Sequence, residues 1–155
     1  SIPLNISLGG TYLDVYTINE GEKNIELFTP SFSGVFSIGY EWPLNKIKLD
    51  YTGRIMGPMQ LPTYEEELAR DETSPWYTLQ HLKVEKRFTN KISAYLGVRN
   101  LFNFTQESPL VDPGAGSNAA TNESWQAGFS PNFDTAYVYG PTRGRRYIIG
   151  ISWKW

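Results

Sequence analysis

Ile2-Pro3-Leu4-Asn5-Ile6-Ser7-Leu8-Gly9-Gly10-Thr11-Tyr12 sorts into two sets: Ile2, Leu4, Ile6, Leu8 and Tyr12 are apolar, whereas Pro3, Asn5, Ser7, Gly9 and Thr11 are small or polar. A period of two puts successive side chains on opposite faces of a strand, so this stretch reads as a β-strand with one apolar and one polar face. The same reading extends along the chain. In 31–42, Phe32, Phe36, Ile38, Tyr40 and Trp42 oppose Ser31, Ser33, Ser37, Gly39 and Glu41. In 46–55, Ile47, Leu49, Tyr51 and Ile55 oppose Lys46, Lys48, Asp50, Thr52 and Arg54. Segment 76–88 is noisier, because Trp76, Leu82, Val84 and Phe88 share their face with Gln80 and Lys86. Segment 91–104 sets Ile92, Ala94, Leu96, Val98 and Phe102 against Lys91, Ser93, Gly97, Arg99 and Asn103, with Tyr95 and Leu101 interrupting the polar side. The final segment places Tyr147, Ile149, Ile151, Trp153 and Trp155 opposite Arg146, Gly150, Ser152 and Lys154. About six strands emerge, with no amphipathic helix.

Composition narrows what such strands build. The 155 residues fit one domain, yet aromatic residues reach 15% and charged residues only 19%, against about 25% charged in an ordinary soluble chain. A net charge of -2 gives no large single-sign field, so nucleic acid is not an expected partner. The absence of cysteine excludes disulfides and thiol chemistry. A mean hydropathy of -0.39 and no long apolar run exclude helical membrane spans. They do not exclude a membrane β-barrel, whose lipid-facing and lumen-facing residues alternate. The chain starts at Ser1 with no readable targeting signal, which fits a mature form or a fragment.

Connections between the strands alternate in length. Pro43-Leu44-Asn45 and Thr89-Asn90-Lys91 read as tight turns, whereas 19–30, 63–74 and 105–143 are long and rich in Gly, Pro, Asn, Glu and Ser. Short turns on one side and long loops on the other match an outer-membrane barrel, which places Trp155 on the periplasmic side. Lipid-facing aromatics should then gather at strand ends. Tyr40, Trp42, Phe88, Trp153 and Trp155 fall at the periplasmic ends, and Tyr12, Tyr16, Phe32, Trp76 and Phe102 at the outer ends, with Phe36 and Tyr51 as imperfect fits. Six strands are too few to close a single-chain barrel, which takes at least eight, so the chain is expected to be part of something larger.

The C-terminal third carries a resemblance. Leu96-Gly97-Val98-Arg99-Asn100-Leu101-Phe102-Asn103-Phe104-Thr105-Gln106, then Phe133-Asp134-Thr135, Tyr137-Val138-Tyr139-Gly140-Pro141 and Gly144-Arg145-Arg146-Tyr147 through Trp155, resembles the last two strands of TonB-dependent outer-membrane receptors. The resemblance is sharp over 91–155 and architectural before it. It implies an all-β fold, an antiparallel up-and-down meander closing a plugged barrel of about 22 strands. At about 26 residues per strand such a barrel takes about 570 residues, of which this chain would be the last quarter. It further implies import of a scarce solute: a ferric siderophore, haem, cobalamin or a glycan. The implied partners are outer-membrane lipid and lipopolysaccharide, the rest of the barrel and its plug, the barrel-assembly machinery, and the TonB complex through an N-terminal region not represented here.

Two groups of residues are singled out for roles. Tyr147, Ile149, Ile151, Trp153 and Trp155 resemble the C-terminal signal read during barrel insertion, by edge-strand addition, and serve equally as lipid-facing residues. Loops on a rigid scaffold commonly carry binding, so Trp125, Phe133, Tyr137, Tyr139 and Arg143 in the long loop are the candidate ligand contacts. Arg145 shares the apolar face at its outer end and suits lipopolysaccharide phosphate or simple snorkelling. Glu65-Glu66-Glu67 with Asp71 and Glu72 make an acidic loop without metal-ligand spacing. His81 is the only histidine, so neither a catalytic triad nor a metal cluster is expected, and no cofactor is implied. The competing readings are a soluble all-β module, binding a ligand or glycan through Trp125 or Trp76, and an outer-membrane enzyme.

Overall fold

The computed structural model describes residues 3–19, 21–63, 71–106 and 137–155. Among the described residues there are eight strands: β1 (Leu4–Tyr12), β2 (Tyr16–Asn19), β3 (Glu22–Ile25), β4 (Phe32–Trp42), β5 (Ile47–Met56), β6 (Tyr77–Arg87), β7 (Ile92–Arg99) and β8 (Arg146–Trp153). Six of them form one antiparallel sheet in the order β1-β4-β5-β6-β7-β8, and β2 and β3 form a separate two-stranded ribbon. No helix of the described residues is long and apolar enough to cross a membrane, which says nothing of strands.

Register is what turns six alternating sequences into one two-faced surface. Ile6 pairs with Ile38, Ile38 with Tyr51, Tyr51 with Leu82, Leu82 with Val98 and Val98 with Tyr147. The apolar face therefore runs unbroken across the sheet. On the opposite face the matching row is Ser7, Ser37, Thr52, His81, Arg99 and Arg146. A slip of one residue in any pair would interleave the two sets.

The apolar face has no cover among the described residues. Leu8 is 78% exposed, Ile149 81% and Ile151 78%, and the buried apolar side chains are Met59, Leu61, Tyr77 and Tyr137. A soluble sandwich would place a second layer about 10 Å above such a face. Exposed apolar surface this extensive marks an interaction surface rather than the outside of a soluble monomer.

Several residues that spoil the alternation are accommodated by specific partners. The Tyr51 hydroxyl donates to Gln80 Oε1, and Gln80 Nε2 donates to Thr78 Oγ1 at 3.2 Å, so the amide on the apolar face is satisfied in place. Lys86 reaches past the strand end, and its ammonium donates to the Asn45 carbonyl in the β4–β5 turn. Phe36 lies over Gly53, its register partner, and against Tyr51 at 5.3 Å between ring centroids. Tyr95, on the polar face, covers Gly150 in the same manner. In both cases the glycine leaves room for a cross-strand ring that a Cβ would displace.

Three expectations are corrected. Tyr16 is not at the end of a wall strand: the chain leaves the sheet after Tyr12 and forms the β2–β3 ribbon, turning through Gly21 at φ 89°. Lys23 of that ribbon sits over the Tyr16 ring, 3.9 Å from its centroid. The segment read as 91–104 ends as a strand at Arg99, because Asn100 turns out of it at φ 54°. Leu101 thus lies beyond the sheet, its N–H bound to the Gln80 carbonyl at 2.8 Å. The last strand ends at Trp153, although the Lys154 N–H still donates to Lys91.

Candidate functional site

The buried residues gather at one end of the sheet, the end carrying the long connections. There the backbone continues above the strands: Phe28 N–H donates to Gln60, Leu61 N–H to Glu72 and Ser74 N–H to Met59, all at 2.8–2.9 Å. The Ser74 hydroxyl accepts from Met59 N–H at 3.0 Å, which satisfies a polar side chain only 2% exposed. Leu61, 1% exposed, is the centre of this small core.

Onto it folds the root of the loop that follows β7. Tyr77, at the start of β6, stacks on Phe104 with ring planes 4° apart and centroids 4.8 Å apart. Its hydroxyl donates to the Tyr139 carbonyl at 2.9 Å, and the Tyr137 hydroxyl donates to the Asp71 carbonyl at 2.6 Å. Three connections are thereby tied to one aromatic group.

Three amides close the loop root. Asn100 accepts from Phe104 N–H at 2.9 Å, and its Nδ2 donates to the carbonyls of Phe104 and of Arg143 on the returning limb. Asn103 Oδ1 accepts from Arg145 N–H at 2.7 Å. Gln106 Oε1 accepts from Tyr139 and Gly140, and its Nε2 donates to the Tyr137 carbonyl at 2.9 Å. Asn100 and Asn103 both sit at positive φ (54° and 59°), a region asparagine tolerates better than other side chains. The asparagines of the strand exit are therefore a clamp. Their spacing was visible in the sequence, but the partners that close the loop, Arg143 and Arg145, lie about 40 residues downstream, where no short-range pattern reaches.

The candidate ligand residues divide. Tyr137 is 4% exposed and braces the loop root; Tyr139 is half-buried against Tyr77; Arg143 is exposed, with its carbonyl held by Asn100. Trp125, Phe133 and the acidic Glu65-Glu66-Glu67 lie outside the described residues. At the other end, Trp153 stacks on Trp155 at 5.9 Å and Tyr40 meets Trp42 edge-on at 4.4 Å. Tyr147, Ile149, Ile151, Trp153 and Trp155 are all exposed, the first four along β8 on the apolar face and Trp155 just past its end. Among the described residues no group of three metal-ligating side chains occurs.

This sheet, with its tight turns at one end and loop hub at the other, matches solved structures over nearly its whole length. The ferric-catecholate import receptor Fiu of E. coli K12 superposes with a TM-score of 0.63 at 12% identity, covering 98% of this chain and 19% of the receptor. The pyoverdine receptor FpvA of Pseudomonas aeruginosa, bound to pyoverdine, gives 0.64 at 16% identity over 100% of this chain and 20% of the receptor. A mutant of the ferric enterobactin receptor PfeA of Pseudomonas aeruginosa gives 0.60 at 14% identity, over 97% and 20%. The chain has the fold of a TonB-dependent receptor barrel section. It spans about a fifth of the length of those receptors. No protein-family profile and no curated protein matches it.

Proposed function

We propose that the chain is the closing, C-terminal section of a TonB-dependent receptor barrel in a bacterial outer membrane. In the intact protein this section completes the wall, and its loop hub shapes the outer vestibule through which a scarce solute is taken up. The observation that carries the reading is the apolar face, in register across six strands and uncovered. In lipid every backbone polar group must be paired, so a sheet with this face takes its place in a closed barrel.

The orientation follows from the connections: tight turns at the periplasm, the loop hub outside, Trp155 at the periplasmic end. β8 then offers its open edge and its alternating Tyr147, Ile149, Ile151 and Trp153 to the assembly machinery before pairing with the first strand of the barrel. Among the loop residues, Tyr139, Arg143, Trp125 and Phe133 are the proposed ligand contacts, with Tyr137 as their support. Ferric siderophores are the favoured solute class, because the receptors of like fold are named for them. No catalytic role is assigned.

Quenching tests the membrane placement. With the chain folded into vesicles of brominated phosphatidylcholine, Trp42 and Trp153 should lose most of their emission relative to unbrominated vesicles, read in variants retaining one tryptophan each. Emission unchanged by bromination, together with a stable monomer in plain buffer, would overturn the reading.

A further inference from the structure

The ladder between β6 and β7 ends at the register pair His81 and Arg99, beyond which the chain turns out through Asn100 at φ 54°. The next two N–H groups still donate to β6. That of Leu101 goes to the Gln80 carbonyl at 2.8 Å, whereas that of Asn100 goes to a side chain, His81 Nδ1, at 3.2 Å. Every other acceptor in the bonds described above for the loop root is a carbonyl or amide oxygen. None of those titrates near neutral pH, and an imidazole does. His81 thus puts one titratable acceptor under the residue whose amide clamps both limbs of the loop.

The direction of that bond fixes the state of the ring. A backbone N–H can only donate, so Nδ1 carries its lone pair and the proton of the neutral imidazole sits on Nε2. A proton added at Nδ1 turns the acceptor into a donor and strands the N–H of Asn100, a residue 7% exposed. The charges sharing the polar face around the ring are mostly of the imidazolium's own sign. Arg99 lies across on β7 with Arg146 beyond it on β8, and Lys83 is two residues along β6. On β5 the partner is Thr52, with Arg54 and Asp50 two residues to either side. Asp50 is already engaged by Lys48 at 3.0 Å, and Lys83 by Glu85 at 2.9 Å. Tyr95 completes the surroundings, lining the same concavity as His81 and lying under the Lys83 ammonium. We infer that His81 is a pH-dependent catch on the loop root: its neutral ring holds Asn100 in the turn from which the clamp is made, and its protonation releases that turn. Limbs 100–106 and 137–145 then part more readily in acid. The inference needs only the fold and stands apart from the membrane reading.

The full chain, folded in detergent, is followed from about pH 8 to about pH 5, the span in which an imidazole changes charge. Because it has one histidine, nitrogen NMR of the imidazole reads His81 alone, and Nδ1 should be the bare nitrogen at the upper end. Because it has no cysteine, spin labels at Thr105→Cys and Thr142→Cys report the separation of the two limbs, which meet where Gln106 N–H donates to the Pro141 carbonyl. As the ring protonates, the open fraction should rise about tenfold, the weight of one buried donor left without its acceptor. His81→Asn, whose amide oxygen replaces Nδ1 and does not titrate, should hold the limbs together throughout. His81→Phe should raise the open fraction by a similar factor even at the upper end. Labels at Leu44→Cys and Asn90→Cys, in the tight turns, should not respond, which separates a released catch from acid unfolding. A ring still neutral at the lower end, limbs that stay together once it is protonated, turn labels that respond in step with the limbs, or an unchanged pH response in His81→Asn would each overturn the inference.

Discussion

Asn100 ties together both limbs of the loop root from a single side chain. It binds Phe104 twice and Arg143 once from a left-handed backbone, 7% exposed. Asn100→Gly keeps the backbone conformation accessible while removing all three bonds, so its cost isolates the clamp. A loss of about 1–3 kcal/mol is expected from stranding buried partners, measured as the unfolding midpoint in detergent, and Asn100→Ala should cost more through its positive φ. Gly53 offers a second residue-level test. A Cβ there would meet the Phe36 ring, so Gly53→Ala should destabilise by about 1–3 kcal/mol through overpacking, and by much less in a Phe36→Ala background. Additive costs in that double-mutant cycle would show that the two residues do not share the space. Neither glycine-ring pairing was legible in the sequence. Phe36 and Tyr51 showed only as misfits in an aromatic belt, because their partners are set by register and not by spacing along the chain.

At the scale of the element, β6 is the strand whose pattern was hardest to read and whose contacts explain why. Gln80 and Lys86 break its apolar face, and each finds a hydrogen-bond partner there: Tyr51 and Thr78 around the amide, the Asn45 carbonyl at the ammonium. Tyr51→Phe should leave Gln80 Oε1 without its donor in lipid and cost about 1–2 kcal/mol, whereas Tyr51→Phe with Gln80→Leu should recover most of that loss. Reversible unfolding in phospholipid vesicles measures both. β1, β4, β5 and β8 were legible within a residue or two because a strict period of two survives in them. The β2–β3 ribbon was not, although Thr17 pairs with Asn24 and Ile18 with Lys23: β3 lay within the 19–30 stretch read as loop and Tyr16 of β2 was placed at a wall-strand end, because each strand has only four residues.

For the whole molecule, the open sheet sets behaviour that no single strand determines. β1 and β8 each pair on one side only, and an unpaired edge beside an uncovered apolar face is a template for association. The isolated chain is therefore expected to self-associate when detergent falls below its micellar concentration and to return to monomer when it is restored, as followed by light scattering. The class of the sheet, and the end at which its long connections gather, were readable from alternation and loop length together. The loop hub was not, since Leu61, Tyr77 and Tyr137 come from three distant segments with no shared pattern. The same hub has a use in protein engineering. Because Asn100, Asn103 and Gln106 fasten the outgoing limb of the loop to Tyr137, Gly140, Arg143 and Arg145 on the returning one, foreign sequence inserted between Gln106 and Tyr137 begins and ends at a fixed frame. Doubling the length of such an insert adds only about 0.6 kcal/mol of closure entropy. In the orientation proposed above, the 107–136 stretch of the sequence is a natural position for grafting epitopes or affinity tags onto a bacterial cell surface.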